Sequence, residues 1–229
     1  MTRMDPQPDL VLFDLDDTLC DYGAARVGRL SIAFGLAQDA CGNTFDVPID
    51  ELVTESIRIQ PHGVDHFPEL FARYGIDDPA AVEAASRWFV ANRFHGLQLF
   101  PDAIETLNAV RAAKPHRRLG MITNGPADVQ TAKIDLLQMR SYFDFCLISC
   151  IFGTWKPDRA IFEEALALGN ARPHQAVMIG DSADHDMAGA EAAGIPTIWM
   201  NRHNLPWPDA LLPPTWVARN LADVRDLLA

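Results

Sequence analysis

The chain has few cysteines and no long apolar run, and each shortage argues against a class of protein. Its four cysteines show neither CxxC spacing nor histidines at zinc-finger distances, so we expect reduced thiols rather than a structural zinc site. No run approaches the roughly 20 apolar residues that span a bilayer. The first nine residues lack the charged and then apolar stretch of a signal peptide. We therefore expect a cytoplasmic protein that has no membrane partner.

Positive charge is also scarce. The 229 residues include 19 Lys and Arg against 31 Asp and Glu, which gives a net charge of -12. This balance argues against a nucleic-acid polymer as partner, because such binding draws on clustered basic residues. A small anion is compatible with it, through local groups and a metal. With 48% hydrophobic and 22% charged residues, the composition is that of a globular protein of one large domain plus an insertion.

Short apolar runs that end in polar or turn residues alternate with helical patterns through most of the chain. The runs resemble strands that are buried on both faces, as in a parallel sheet. Their succession predicts right-handed βαβ units and an α/β fold with a doubly wound sheet. The predicted strands are 10–14, 119–123, 143–149, 176–181 and 196–200, and the predicted helices are 101–114, 126–139, 157–168 and 184–193.

One stretch breaks this alternation. Between the first and second strands the periodicity is helical only, at 24–40, 49–59, 68–74 and 79–94, with proline and glycine breakers between the helices. We therefore predict a Rossmann-like core formed by 1–20 and 99–229, and a small α-helical cap domain at 21–98. An extended loop at 203–214 precedes a last short strand and helix. The sequence does not decide whether this loop lies beside the site or at a subunit contact, and either a monomer or a homodimer is compatible with it.

Four short polar signatures follow one another in a fixed order, most of them directly after a predicted strand. Open α/β sheets collect their ligands at such strand ends. Carboxylates there are costly unless they have a use. Together the four signatures indicate a magnesium-dependent phosphoryl-transfer site. They are Asp14-Leu15-Asp16-Asp17-Thr18, Thr123-Asn124-Gly125, Lys156-Pro157-Asp158, and Gly180-Asp181-Ser182 with Asp186 five residues after Asp181.

In this order and spacing the signatures resemble those of the haloacid dehalogenase superfamily, in the phosphatase-like branch that carries a helical cap between its first two motifs. The resemblance spans about residues 9–201. It implies a Rossmann-like core, Mg²⁺ as cofactor, and a phosphatase that acts on a small phosphorylated metabolite through an aspartyl-phosphate intermediate.

The two carboxylates of the first signature suit ester hydrolysis. A carboxylate can attack phosphorus and form an acyl phosphate, which divides one hard displacement into two easier ones. Asp14, the first residue beyond the apolar run, is the candidate nucleophile. Asp16 would protonate the leaving alcohol and then take a proton from the attacking water. We expect Asp17 to be structural and the hydroxyl of Thr18 to organise the loop.

Phosphate would be held by the second and third signatures. Thr123 and the amide of Asn124 stand at a strand end before a helix start, which makes an anion cradle. Lys156 would place a positive charge near the nucleophile and the transferring phosphoryl group, so that it serves both catalysis and phosphate binding.

Magnesium would be held by oxygen ligands from Asp14, the backbone carbonyl of Asp16, and Asp181. The cation would also relieve the repulsion among these carboxylates. Asp186 fits a supporting role, either orienting a metal-bound water or pairing with Lys156. As an alternative, it is a helix N-terminal carboxylate stabilised by the dipole.

Other functions stay open. One is a different reaction of the superfamily, either carbon–halogen hydrolysis or phosphoryl transfer of the mutase type. Haloacid dehalogenases resemble this pattern but lack the acid at Asp16, since a halide needs no proton. Another is a regulatory, non-catalytic protein on the same fold. His62 and His66 have the i, i+4 spacing of helical metal ligands, but neighbouring Pro61 and Gly63 disfavour a regular helix there.

Overall fold

A computed structural model describes residues 3–42, 44–59 and 66–229, and the chain divides into two compact units. One unit consists of Met1–Asp21 and Leu99–Ala229, and the other of Tyr22–Gln98. No helix within the described ranges combines the length and the apolar character that crossing a bilayer requires.

The unit Tyr22–Gln98 is helical and has an aromatic core of its own. Phe34 and Phe67 meet edge to face with ring centroids 5.6 Å apart, a geometry that aromatic pairs favour. Phe71 lies against both rings, and all three side chains are fully buried. The helices of this unit are α1 (Tyr22–Cys41), α2 (Ile49–Ile59), α3 (His66–Arg73) and α4 (Pro79–Ala91).

The other unit is built on a parallel sheet, for which six strands lie in the described part of the chain. They are β1 (Leu10–Phe13), β2 (Arg118–Thr123), β3 (Phe145–Ile148), β4 (Ala176–Gly180), β5 (Thr197–Met200) and β6 (Trp216–Ala218). Their order across the sheet is β3-β2-β1-β4-β5-β6. The central strand β1 is buried along its whole length, as expected for a strand covered on both faces. This architecture confirms the predicted doubly wound α/β fold.

Helices follow most strands of this sheet. The helices of the unit are α5 (Ala103–Ala112), α6 (Ala127–Leu136), α7 (Ser149–Phe152), α8 (Arg159–Gly169), α9 (Ala188–Ala192) and α10 (Leu221–Leu228). Asp158 caps α8 by accepting a hydrogen bond from the amide of Ala160, and Asn220 caps α10 by accepting from the amide of Asp223. A π-helical turn at Ala183–Met187 leads into α9.

Several predicted elements differ from the observed ones by up to three residues at their ends, and at two places the type of structure differs as well. The predicted strand 143–149 is Phe145–Ile148, and its last predicted residue, Ser149, instead opens the short helix α7. A single helical turn leaves no periodicity in the sequence, so an apolar run there looks like a strand. Within the predicted helix 184–193, the first part is π-helical rather than α-helical.

The loop 203–214 belongs to the sheet unit. Trp207 packs on Trp199 of β5 with ring centroids 4.9 Å apart and nearly perpendicular planes. The indole N–H of Trp199 donates in turn to the carbonyl of Asp181 at 2.8 Å. The loop therefore supports the backbone of Asp181 through Trp199.

A buried arginine joins both ends of the chain to the sheet. Arg117 is 3% exposed, and its guanidinium donates to the carbonyls of Pro8, Val110 and Leu228 at 3.0, 2.8 and 2.7 Å. Carbonyls buried without a donor are costly. The side chain of Arg117 thus supplies hydrogen-bond donors to three backbone carbonyls.

Replacing this arginine should therefore destabilise the sheet unit. We expect Arg117→Met to lower the free energy of unfolding by about 3 kcal/mol or more, because several buried carbonyls lose a donor at once. Urea unfolding followed by circular dichroism measures the change. Arg159→Met is the matched control, since Arg159 forms an exposed ion pair with Glu163, and we expect a loss below about 1 kcal/mol. Equal losses in the two variants would contradict the role given to Arg117.

Candidate active site

The sheet order brings three of the four signatures together. β1 lies between β2 and β4, so Asp14 follows the central strand while Thr123 ends one neighbour and Asp181 follows the other. The amide of Asp14 donates to the carbonyl of Ile179 at 2.9 Å, which continues the sheet pairing to this residue. The carboxyl ends of parallel strands are where α/β proteins bind ligands.

Lys156 is the centre of the hydrogen-bond network at these strand ends. Its ammonium is buried and donates to Oδ1 of Asp14 at 2.6 Å, to Oδ1 of Asp186 at 2.5 Å and to the carbonyl of Ile122 at 2.9 Å. Burial lowers the pKa of this lysine, but Asp14 and Asp186 outweigh burial and raise it. Lys156 therefore stays charged, with three acceptors for its three N–H groups.

Asp14, Asp181 and Asp186 form a compact carboxylate cluster. One oxygen from each lies within 4.8 Å of the others. Burial, opposed by Lys156 and reinforced by Asp186 and Asp16, raises the pKa of Asp14 to about 7. Burial together with Asp14 and Asp186 raises the pKa of Asp181 to about 9. The raised pKa values come first from burial and then from repulsion among these carboxylates, and a bound cation would relieve the repulsion.

Asp186 pairs with Lys156, which was one of the roles expected for it. Its Oδ1 accepts from the ammonium, and its Oδ2 accepts from the amide of Ser182 at 3.1 Å. Gly180 makes room for this carboxylate, because a Cβ at Gly180 would overlap the side chain of Asp186. The glycine before Asp181 is thus needed for close packing against Asp186.

The second signature is tied to the third by a reciprocal pair. The side-chain amide of Asn124 donates to the carbonyl of Lys156 and accepts from its backbone amide, both at 2.9 Å. The amide of Gly125 donates to the hydroxyl of Ser149 at 3.0 Å. The side chain of Asn124 therefore positions the backbone of Lys156, so that any contact of Asn124 with phosphate falls to its backbone amide.

Asp16 points its carboxylate toward α6. Lys133 donates to both oxygens, at 2.9 and 2.7 Å, and Gln130 donates to Oδ2 at 3.1 Å. Gln130 also contacts the hydroxyl of Thr123. Sequence reasoning missed Gln130 and Lys133. Gln130 and Lys133 are three residues apart on the helix that directly follows Thr123-Asn124-Gly125, so they share one helix face. This spacing was the signal in the sequence that could have identified them.

The turn after Asp14 differs from expectation in one respect. Asp17 has φ of +57°, the left-handed conformation of a turn residue, as its structural role requires. The hydroxyl of Thr18 is buried without a hydrogen-bond partner among the described residues. It therefore does not organise the loop as expected, and the main-chain carbonyl of Thr18 instead accepts from Arg202 at 3.0 Å.

Of the histidine pair, His62 lies outside the described residues. His66 is buried in the helical unit, with its Nε2 2.7 Å from the hydroxyl of Ser56. His66 begins α3 and packs against the ring of Phe67. These contacts give His66 a place in the core of that unit.

Two curated relatives show substantial identity with this chain. The glyceraldehyde 3-phosphate phosphatase of Pyrococcus furiosus is 32% identical over 195 residues, which is 83% of this chain and 79% of that protein. The pyrimidine 5'-nucleotidase YjjG of Escherichia coli is 36% identical over 129 residues. The second match spans 56% of each protein, so it covers only part of the nucleotidase.

Solved structures agree on the fold. The 2-haloacid dehalogenase of Pseudomonas syringae pv. Tomato superposes with a TM-score of 0.61 and 30% identity, covering 96% of this chain and 97% of that one. The family model for haloacid dehalogenase-like hydrolases matches residues 8–194, which include all four signatures. The chain therefore belongs to the haloacid dehalogenase-like hydrolase family.

Proposed function

We propose that the protein is a magnesium-dependent phosphatase that hydrolyses a small phosphomonoester through an aspartyl-phosphate intermediate on Asp14. The observation that carries this proposal is the buried ammonium of Lys156, which holds Asp14 and Asp186 beside the carboxylate of Asp181. This arrangement collects a nucleophile, a fixed positive charge and metal-ligating oxygens at one strand end. The phosphatase and nucleotidase relatives support the same reaction class.

In the first step a carboxylate oxygen of Asp14 attacks phosphorus, and the bond from phosphorus to the ester oxygen breaks. The departing oxygen takes a proton from Asp16, so that an alcohol leaves. In the second step water attacks the phosphorus of the acyl phosphate and gives its proton to Asp16. Inorganic phosphate leaves and Asp14 returns to its carboxylate form.

Phosphate binding is assigned to Thr123, the backbone amide of Asn124, and Lys156. Thr123 is buried at the end of β2, and Asn124 is fixed against the backbone of Lys156. A preorganised ammonium and N–H donor stabilise the charge on the equatorial oxygens without moving during the reaction.

The residues present fit magnesium. Carboxylate oxygens are the hard donors that this ion prefers, and those of Asp14 and Asp181 belong to the cluster, to which we add the backbone carbonyl of Asp16. Bound magnesium would neutralise charge on the substrate phosphate and on the carboxylates. Asp186 accepts from Lys156 and from Ser182, which suits it to orient the site rather than to serve as the main ligand.

Selection of the substrate is assigned to the helical unit Tyr22–Gln98 in the role of a cap domain. The substrate is a small phosphorylated metabolite. The four cysteines form no disulfide with one another in the described part of the chain, which supports a reducing compartment such as the cytoplasm. The assembly, monomer or homodimer, stays a prediction.

Carbon–halogen hydrolysis is the second candidate, and the 30% identity with a haloacid dehalogenase favours it. Asp16 argues for the phosphatase. A halide departs without a proton, whereas an alkoxide needs one, and Asp16 supplies a carboxylate two residues from the nucleophile. Its fixed orientation by Lys133 and Gln130 also fits a group with a chemical role.

Loss of the nucleophile should abolish phosphatase activity. We expect Asp14→Asn to lower phosphate release at least about 1,000-fold, because a carboxamide cannot form the acyl phosphate. The assay measures phosphate released from triose and sugar phosphates, nucleotides and phosphoglycolate, with haloacids tested for halide release.

Asp135→Asn is the matched control, since Asp135 forms an exposed pair with Arg140 on the surface. We expect this variant to stay within about twofold of the wild type. Near wild-type phosphate release by Asp14→Asn would contradict the covalent mechanism. Halide release without phosphate release would favour the dehalogenase.

Removal of metal should stop turnover. We expect EDTA to abolish phosphate release and added Mg²⁺ to restore it, because the carboxylate cluster holds the cation. Asp181→Asn should raise the Mg²⁺ concentration for half-maximal activity at least about tenfold. Thermal unfolding with and without Mg²⁺ provides a second readout, since a bound ion stabilises the folded state. Full turnover in EDTA would show that the ligand set is wrong.

A further inference from the structure

The carboxylate of Asp16 is held by donors from α6 rather than left in solvent. The ammonium of Lys133 reaches both oxygens, at 2.9 and 2.7 Å, and the side chain of Lys133 is only 4% exposed against 22% for Asp16. A lysine so deeply buried is costly unless it is paired. The charge of Lys133 therefore pairs with Asp16, the residue that we propose as acid and base.

Gln130 joins the same carboxylate to the phosphate-binding signature. Its Nε2 donates to Oδ2 of Asp16 at 3.1 Å and also contacts the hydroxyl of Thr123. Gln130 is 1% exposed. A Cβ at Gly125 would lie 2.7 Å from Cγ of Gln130, so the glycine of the second signature makes room for this side chain.

The two donors share one face of α6, because residues three apart on a helix are neighbours. α6 begins at Ala127, directly after the second signature. The helix that starts at the phosphate-binding signature therefore also presents the donors that fix Asp16. Helix α6 therefore connects Thr123, which we assign to phosphate binding, with Asp16, which we assign to proton transfer.

We propose that Lys133 and Gln130 are positioning residues for Asp16, which they hold in one orientation for proton transfer to the leaving oxygen. This inference rests on the proposed function. Proton transfer requires heavy atoms within about 2.6–3.2 Å, and a misplacement of about 1 Å can cost on the order of 100-fold in rate. Because donors on α6 hold the side chain of Asp16 in place, that loss is avoided.

The leaving group provides the test. An alkyl phosphomonoester needs a proton on its departing oxygen, whereas 4-nitrophenyl phosphate releases a stabilised phenolate. The step in which water attacks is common to both substrates, so we compare kcat/KM, which includes only the steps up to departure of the leaving group. We expect Lys133→Met to lower kcat/KM at least about tenfold for the best alkyl substrate and less than about threefold for 4-nitrophenyl phosphate. Asp16→Ala should show the same pattern more strongly, and Lys133→Arg should recover most of the alkyl activity.

Lys114→Met is the matched control. Lys114 also pairs with an aspartate, Asp9, at 2.6 Å, but away from the four signatures, and we expect kcat/KM for both substrates within about twofold of the wild type. If Lys133→Met does not fold, Gln130→Leu tests the same orientation. Crystal structures of the wild type and the variant give a readout that needs no activity, and we expect the carboxylate of Asp16 to turn away from its wild-type position.

Equal losses of kcat/KM on the two phosphoesters, or an unmoved Asp16 in the variant structure, would overturn the positioning role and leave Lys133 as a structural anchor. Failure of the proposed function looks different. In that case the wild type and Lys114→Met would release no phosphate from either ester, while the crystal structures would still decide whether Lys133 orients Asp16.

Discussion

The buried ammonium of Lys156 is the interaction on which the active site depends. It lies between carboxylates that burial alone would make costly to ionise, and it donates to two of them and to the carbonyl of Ile122. Removing one member of such a network leaves an uncompensated charge. The ammonium of Lys156 therefore links the positions of Asp14 and Asp186. The side chain of Asn124 in turn fixes the backbone of Lys156.

The order of the strands explains why these groups meet at all. β1 has β2 and β4 as parallel neighbours, so residues far apart in the sequence follow adjacent strands at the same edge of the sheet. In the proposed mechanism the first signature gives the nucleophile, the second and third give donors for phosphate, and the fourth gives a metal-ligating carboxylate.

Much of this could be predicted from the sequence, because the features are local. An apolar run before Asp14 and another before Asp181 identify strand ends, and the order of the signatures identifies the family. The pairing of Asp16 with Lys133 could not be predicted in this way, since it spans 117 residues and depends on how α6 packs. The short helix α7 was missed because a single turn has no periodicity. The unpartnered hydroxyl of Thr18 was missed because a hydroxyl in a turn is expected to find a local acceptor.

Transfer of the phosphoryl group to Asp14 can be tested by trapping the intermediate. The enzyme is mixed with a phosphomonoester substrate and Mg²⁺, quenched in acid within one turnover, digested, and analysed by mass spectrometry. We predict a phosphorylated peptide whose modified residue is Asp14. Turnover of the same substrate with an unmodified Asp14 at every quench time, and with phosphate found on another residue or on none, would show that Asp14 is not the nucleophile.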